Sequence, residues 1–516
     1  MILLVTKGES QTIQIQGEQT GILQADTIFI TGNVLVPFGE FLKILPGTKV
    51  IATGYFGFFI EGSIQALGTV DNPVLFTISD TSGFYNLYDS RGGWDGFDFT
   101  NISSVADSSI FKHSTFEFGK ATGDSLSKMG GMFNIRNFNK IKFTECHFNQ
   151  NKAVFWGGAI FGEQADISIE NCLFSNNYCG TPGPPYGYGG AVCFRNSTAE
   201  INKCEFEANR STGIGGGVSF EYSDILLTNC KFRLNYSGLG GALGYLRSTP
   251  ARAITGNLFT ENSALFFGGA ISCNRANPHF TNNTITNNSC TSYGGGFYCN
   301  DSAAPVVVNT ILYGNHAPSG EQVYIWDVNS APSFYYCNIE GKSEAFGGTG
   351  GTGFNSPYVA NIDTLPAFLG NGLHPYALAP ESPCVNAGQP DTTGLMLLAY
   401  DLAGNSRIYG SRVDIGAYEL QSGPSSVNHN FSELKPHFWP NPFTDLLYVN
   451  PAGFSGETVL VQMSDLQGRI ILSENIANHE EIKLDLTKQH LRAGIYCLQI
   501  SDSQKSVTLK ISKSGQ

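Results

Sequence analysis

Charge is scarce in this 516-residue chain: Asp, Glu, Lys and Arg together make up 14% of it, where about 25% is usual. What charge there is leans acidic, with 30 Lys+Arg against 43 Asp+Glu and a net of -13. Nucleic acid and anionic membranes reward clustered positive charge, so neither is expected as a partner. No run of about 18 apolar residues occurs, and no helical membrane span is expected. Ile2 to Val5 is shorter than the roughly 7–15-residue apolar core of a secretory signal, so a native signal peptide is expected to be missing from this sequence. The 12 cysteines are too few for a disulfide scaffold, and no CxxC pair has zinc-site spacing. A G-x-S-x-G elbow, an H-E-x-x-H pair and a P-loop are all lacking, and the nine His are scattered. No cofactor or metal is expected. Disorder is excluded by the 41% of hydrophobic residues, 37 of them Phe, because that much burial offsets chain entropy.

Glycine is the residue in excess, 61 in all, about 12% against the ordinary ~7%. Its placement is periodic. Phe-x-x-Asn tetrads begin at Phe148, Phe174, Phe206, Phe232 and Phe259, with Ile285 to Asn288 as a variant, and successive starts lie 26, 32, 26, 27 and 26 residues apart. Between tetrads stand glycine pairs, read as Gly157-Gly158, Gly189-Gly190, Gly216-Gly217, Gly240-Gly241, Gly268-Gly269 and Gly295-Gly296. Each period holds short β-type segments separated by Asn and Gly turns, with no helical spacing. The expected fold is all-β: a parallel β-helix whose coils stack about 4.8 Å apart. The tetrad Phe points inward, and its Asn sits at an αL turn with its amide bonded to the coils above and below. A further file runs Cys146, Cys172, Cys204, Cys230, Asn257, Asn283, Asn309 and Cys337. Parallel Cβ vectors suit disulfides poorly, so these cysteines are expected as buried thiols.

Gly157-Gly158-Ala159-Ile160 and the tetrads resemble the GGAI and FxxN repeats of the polymorphic outer-membrane proteins over about residues 145 to 300. The resemblance implies a right-handed parallel β-helix of pectin-lyase-like architecture displayed at a cell surface, with adhesion a common role. Members of that family usually end in a membrane β-barrel. No set of alternating lipid-facing strands is visible here.

The β-helix is assigned to residues 1–345 and a cap and junction segment to 346–420. In that segment Asp401, Asp414 and Glu419 could ligate calcium, although no regular ligand spacing supports it and turn hydrogen bonding is the plainer expectation. Residues 421–430 read as a linker and 431–516 as an immunoglobulin-like β-sandwich. Its motifs are Trp439-Pro440-Asn441-Pro442, Asp465 to Arg469 around Gly468, Gly494-Ile495-Tyr496, and a last strand with Lys510. Together they resemble the type A sorting domain of the type IX secretion system. That implies export from a Bacteroidetes-type cell, secretion machinery as a partner, and a secreted or outer-membrane-attached product.

Two functional expectations follow for the solenoid, which is expected to be a monomer. The first is noncatalytic binding of glycans or surfaces by Tyr186, Tyr188, Phe194, Phe220, Tyr222 and Tyr245, on or near a coil lengthened by an insertion. The alternative is a polysaccharide lyase or glycoside hydrolase using Glu163, Arg195 and Glu221. They are expected to share one surface file with Arg247, Arg275 and Asp301. The two Glu lie two coils apart, about 9 to 10 Å, at the edge of the ~6.5–9.5 Å carboxylate spacing of inverting glycosidases.

Overall fold

The computed structural model describes residues 11–100, 108–122, 129–183, 186–247, 253–421, 437–439, 443–450, 458–465, 469–477, 482–489, 491–492, 494–502 and 506–513. The chain forms two compact units, Met1–Ser422 and Gly423–Gln516.

The first unit is a parallel β-helix. Its described strands fall into sheets of 23, 13 and 7 strands, and the pairings between described solenoid strands are parallel. The tetrad phenylalanines stack as expected: centroids of Phe148, Phe174, Phe206, Phe232 and Phe259 are 4.5, 4.8, 4.7 and 4.9 Å apart in succession, within 15° of coplanar. Phe76 and Phe116 extend the stack toward the N-terminus at 5.1 and 5.0 Å. All are fully buried. The geometry follows from register: parallel pairing sets like residue on like residue even across the 32-residue interval, where Phe174 pairs with Phe206.

Asn151, Asn177, Asn209, Asn235, Asn262, Asn288 and Asn315 form a buried amide ladder. The Asn151 Oδ1 accepts from Gly119 N–H; from Asn177 on, each Oδ1 accepts both the N–H and the Nδ2 of the preceding Asn, as Asn209 does from Asn177 at 3.0 and 2.9 Å. Each Nδ2 also reaches a backbone carbonyl of an earlier tetrad, for Asn209 the Phe174 O at 2.9 Å. The αL residue is not this Asn, as the sequence suggested, but the one before it: Gln150, Asn176, Ala208, Leu234, Glu261 and Asn287 have φ between 54° and 57°. Non-glycine αL geometry costs about 1–2 kcal/mol each, and the ladder holds it in place.

The cysteine file is a second ladder. The N–H groups of Cys146, Cys172 and Cys204 each donate to the next coil's Sγ at 3.4 Å, and Cys230 N–H donates to Asn257 Oδ1. Its later member is Thr310, which accepts from Asn283 N–H, rather than Asn309. The glycine files also shift by one where three glycines adjoin. Gly215-Gly216 and Gly294-Gly295 occupy the pair positions, and Gly217 and Gly296 stand where other coils have Ala. All 12 cysteines are free.

The segment after 345 divides in two. Phe346, Phe354 and Tyr358 close on Phe334 beside the short helix Gly348–Thr352 and plug the solenoid end. The chain then turns back and runs along the side of the coils as a strap. Asn338 Nδ2 meets Cys384 Sγ, Gln389 N–H meets Asn309 Oδ1, and Asn282 Nδ2 meets Asp414 O. Ala417 N–H bonds Thr284 Oγ1, and Tyr376 OH bonds Thr260 Oγ1. Asp401 to Gly404 close a cavity of about 260 Å³ against Lys203 to Glu205, Asn229 and Lys231.

Within the strap, backbone groups take the place considered for calcium. Asp401 accepts N–H bonds from Ala403, Asn405 and Glu419, and Asp414 from Asn386 and Leu420. Glu419 pairs with the buried Arg407 at 2.9 Å. No cluster of three metal-ligating side chains occurs among the described residues.

The second unit is a β-sandwich. Antiparallel sheets of three strands (His437–Trp439, Leu446–Asn450, Ile482–Asp485) and four (Ile470–Ala477, Thr458–Ser464, Gly494–Ser501, Ser506–Lys513) share one core. Leu447, Val449 and Leu484 of the first sheet meet Val461, Met463 and Leu498 of the second.

Candidate ligand-binding face

Alternation along the strand after each glycine pair decides what can meet a ligand. In Ile160–Glu163, Ile160 belongs to the solenoid core, whereas Phe161 belongs to a separate outer cluster with Met129 and Cys193. Parallel register carries that parity down the rod: Gly162 pairs with Phe194, Phe194 with Phe220, and Phe220 with Tyr245. Phe194, Phe220 and Tyr245 are therefore interior, at most 1% exposed, and cannot form a binding strip. Tyr186 is 52% and Tyr222 48% exposed. Tyr222 sits in αL geometry at φ 49°. Tyr188 is half-buried against Phe161 and Cys193.

The expected acid–base trio is an ion-pair ladder. Glu163 lies between Arg136 at 3.6 Å and Arg195 at 3.4 Å, and Glu221 between Arg195 at 3.5 Å and Arg247 at 3.9 Å. The Arg195 guanidinium also stacks over Trp156 at 5.0 Å. Each carboxylate thus has guanidinium partners on both sides. Register pairs Glu221 with Leu246, and Leu246 with Asn274, so Arg247, Arg275 and Asp301 form the adjoining file at the αL turn. His147 Nε2 lies 2.8 Å from Ser175 Oγ, but Ser175 donates its proton to Asn149 Oδ1 at 3.1 Å. The imidazole is then the donor to Ser175, the reverse of what a nucleophilic serine needs.

Two outward files run along this face. Residues just before the glycines pair in the order Trp156, Tyr188, Ile214, Leu239, Phe267, Tyr293 and Ser319. Beside them pair Phe161, Cys193, Ser219, Gly244, Ser272, Tyr298 and Tyr324. Six coil steps make this strip about 29 Å long.

Aromatic rings gather at its C-terminal end, where Phe267 stacks on Tyr298 at 4.8 Å and Tyr293 on Tyr324 at 4.5 Å. The rings of each pair lie within 27° of parallel; Tyr298 is buried, and Tyr293 and Tyr324 are partly exposed. Trp326 differs. It sits 6.0 to 6.4 Å from Phe267, Tyr293, Tyr298 and Tyr324 at tilts of 42° to 60°, and is 48% exposed. Phe266, 49% exposed, tilts 51° from Phe267. These two rings offer faces on which a flat apolar surface can stack.

Asp327 holds the Trp326 loop. Burial acts to raise its pKa, but bonds from the N–H groups of Asp301, Asn329 and Ser330 and from the Ser330 hydroxyl outweigh it and keep the carboxyl below its ordinary value. Burial, then the neighbouring Tyr324, raises the pKa of the Tyr298 hydroxyl, which stays a proton donor at neutral pH. No sequence motif marks this cluster, because its members occupy different positions in different coils.

In the second unit Gly494 opens its strand, and the Tyr496 hydroxyl donates to Arg492 O at 2.7 Å. Lys510 pairs with Cys497 in the last strand. Pro440, Asn441, Pro442 and Gly468 lie outside the described residues. Lys513, which the motif reading passed over, bonds Thr444 O and reaches Asp445 Oδ1 at 3.2 Å.

No curated protein matches the chain. Residues 437–514 match the family described as secretion system C-terminal sorting domain, which implies contact with secretion machinery. Residues 157–339 match the right handed beta helix region. This chain is therefore a secreted or cell-surface protein that joins a right-handed parallel β-helix to a C-terminal secretion sorting domain.

Proposed function

We propose that the solenoid is a noncatalytic, monomeric rod that binds glycans at the bacterial surface, after export by the type IX route and attachment to the outer membrane. The carrying observation is the aromatic cluster around Trp326, whose tilted, half-exposed ring stands beside the partly exposed Tyr293 and Tyr324. Sugar recognition needs that pairing: an apolar face to cover C–H groups and polar groups nearby to fix orientation. The ladder through Glu163, Arg195 and Glu221 supports binding over catalysis, since its charges are spent on each other.

Chromatography of the full chain on immobilised neutral and acidic polysaccharides tests this. Trp326→Ala should weaken retention roughly tenfold or more, as loss of a central aromatic contact does. Tyr186→Ala, on the inserted coil, should have a smaller effect. Retention unchanged in Trp326→Ala would refute the assignment. Release of unsaturated or reducing ends, abolished by Glu163→Gln or Glu221→Gln, would establish the lyase or hydrolase reading instead.

A further inference from the structure

Lys120 and Lys152 stand directly above one another on adjacent coils, paired in register in the short strands Lys120–Ala121 and Lys152–Ala153. Two ammonium groups so placed repel, and the fold treats them differently. Lys120 is fully buried and fully engaged, its Nζ donating to Arg91 O at 2.7 Å and Gly83 O at 3.2 Å, with Asp89 at 4.0 Å. It pins the loop between Asp80 and Gly93 onto the coil.

Lys152 receives none of those oxygens. It is 8% exposed, and its Nζ faces three rings: Tyr85 at 4.0 Å, Phe84 at 4.9 Å and Tyr178 at 5.6 Å from the centroids. Among the described residues no carboxylate or carbonyl pairs with it. Tyr85, the ring nearest the amine, is itself 78% exposed.

Desolvation and a neighbouring cation are the two conditions that turn a lysine into a nucleophile at neutral pH. Both operate here. Burial first, and the Lys120 charge second, bring the Lys152 pKa down to about 8. The ring faces attract the protonated form and so act against this fall; what they give the site is position, holding the nitrogen 4.0 Å from the Tyr85 centroid.

We propose that Lys152 is a Schiff-base-forming amine, a site at which the solenoid condenses covalently with aldehydes. The neutral nitrogen's lone pair forms the C–N bond while the carbonyl π pair moves to oxygen. A proton then passes from nitrogen to oxygen, and the carbinolamine loses water to leave the imine. One aldehyde and one amine give one imine and one water, with no change of oxidation state. Tyr85 and Tyr178 flank the new C=N bond and select small or flat aldehydes. The site is independent of the Trp326 face.

Glycolaldehyde with cyanoborohydride, followed by peptide mapping of the folded full-length chain, tests the assignment. At pH 7.5 Lys152 should be labelled on the order of tenfold faster than the half-exposed Lys142. Its half-maximal rate should fall near pH 8, against about 10.4 for an ordinary lysine. Tyr85→Ala should speed labelling several-fold and raise the midpoint toward the ordinary lysine value, because Tyr85 supplies part of the burial that lowers it. Lys120→Met, which removes the neighbouring charge together with the bonds that pin the loop, should raise it as well. Labelling of Lys152 no faster than Lys142, or only after urea unfolding in both wild type and Tyr85→Ala, would overturn the proposal.

Discussion

Raising the pH from 8 to 10.5 should unfold the solenoid cooperatively. Burial, as the leading cause, pushes nine thiols above their ordinary value: Cys146, Cys179, Cys193, Cys204, Cys273, Cys290, Cys299, Cys337 and Cys384. For Cys337 the value reaches about 12 and for Cys384 about 11. In the unfolded chain a thiol ionises near pH 8.5, so above that pH the unfolded state holds fewer protons than the folded one. Stability then falls as pH rises, by roughly 1.4 kcal/mol per pH unit for each thiol. The nine thiols all act in this direction, against a total stability of only ~5–15 kcal/mol for an ordinary domain. Lys120, Lys152 and Cys172 act oppositely, because their folded pKa values are lowered, but they are three groups against nine. Far-UV circular dichroism under reducing conditions, paired with iodoacetamide alkylation, reads both halves of the effect. Native dichroism persisting at pH 10.5 would contradict it.

Asn209→Ala should destabilise the solenoid by about 2–6 kcal/mol. The substitution removes the acceptor of the buried Asn177 N–H and the side-chain donor to Phe174 O, while Asn177 Nδ2 keeps its bond to Phe148 O. Each orphaned buried group costs about 1–3 kcal/mol. Phe206→Ala, which opens a gap between rings 4.8 and 4.7 Å away, should cost about 3–5 kcal/mol. Because the two residues belong to one coil, their effects should not add. Gly190→Ala tests the same coil from its other side, since an added methyl would overlap Gly216 O and the Arg210 backbone. Urea titrations of the three variants measure the losses. A change below 1 kcal/mol for Asn209→Ala would mean the amide ladder carries no weight.

Legibility in the sequence tracked periodicity. The Phe and Asn landmarks recur once per coil, so the architecture could be read from their spacing. Side-chain parity was harder. In Gly215 to Gly217 and Gly294 to Gly296 three glycines adjoin, and nothing local says which two are the pair. A slip of one residue turns a strand inside out. Tyr245 illustrates the difficulty, since an aromatic in a β-type segment looks the same whether it faces core or solvent. The Trp326 cluster was invisible for another reason: Phe267, Tyr298 and Trp326 hold three different places in their coils and converge only once stacked. The strap was hidden too, because its contacts pair residues far apart in the chain, some by more than 100 positions, such as Tyr376 with Thr260 and Asp414 with Asn282.

That returning strap changes how the rod can come apart. A simple stack touches only nearest neighbours and can peel from an end one coil at a time. Here the segment from Ile362 to Glu419 crosses the coils from Asn338 back to Cys204, like a spine glued across the pages of a book. The final coils cannot fray singly without first lifting the whole spine. Distal and central coils should therefore exchange their amide hydrogens as one block, and that block closes only once the polypeptide beyond Glu419 has been made.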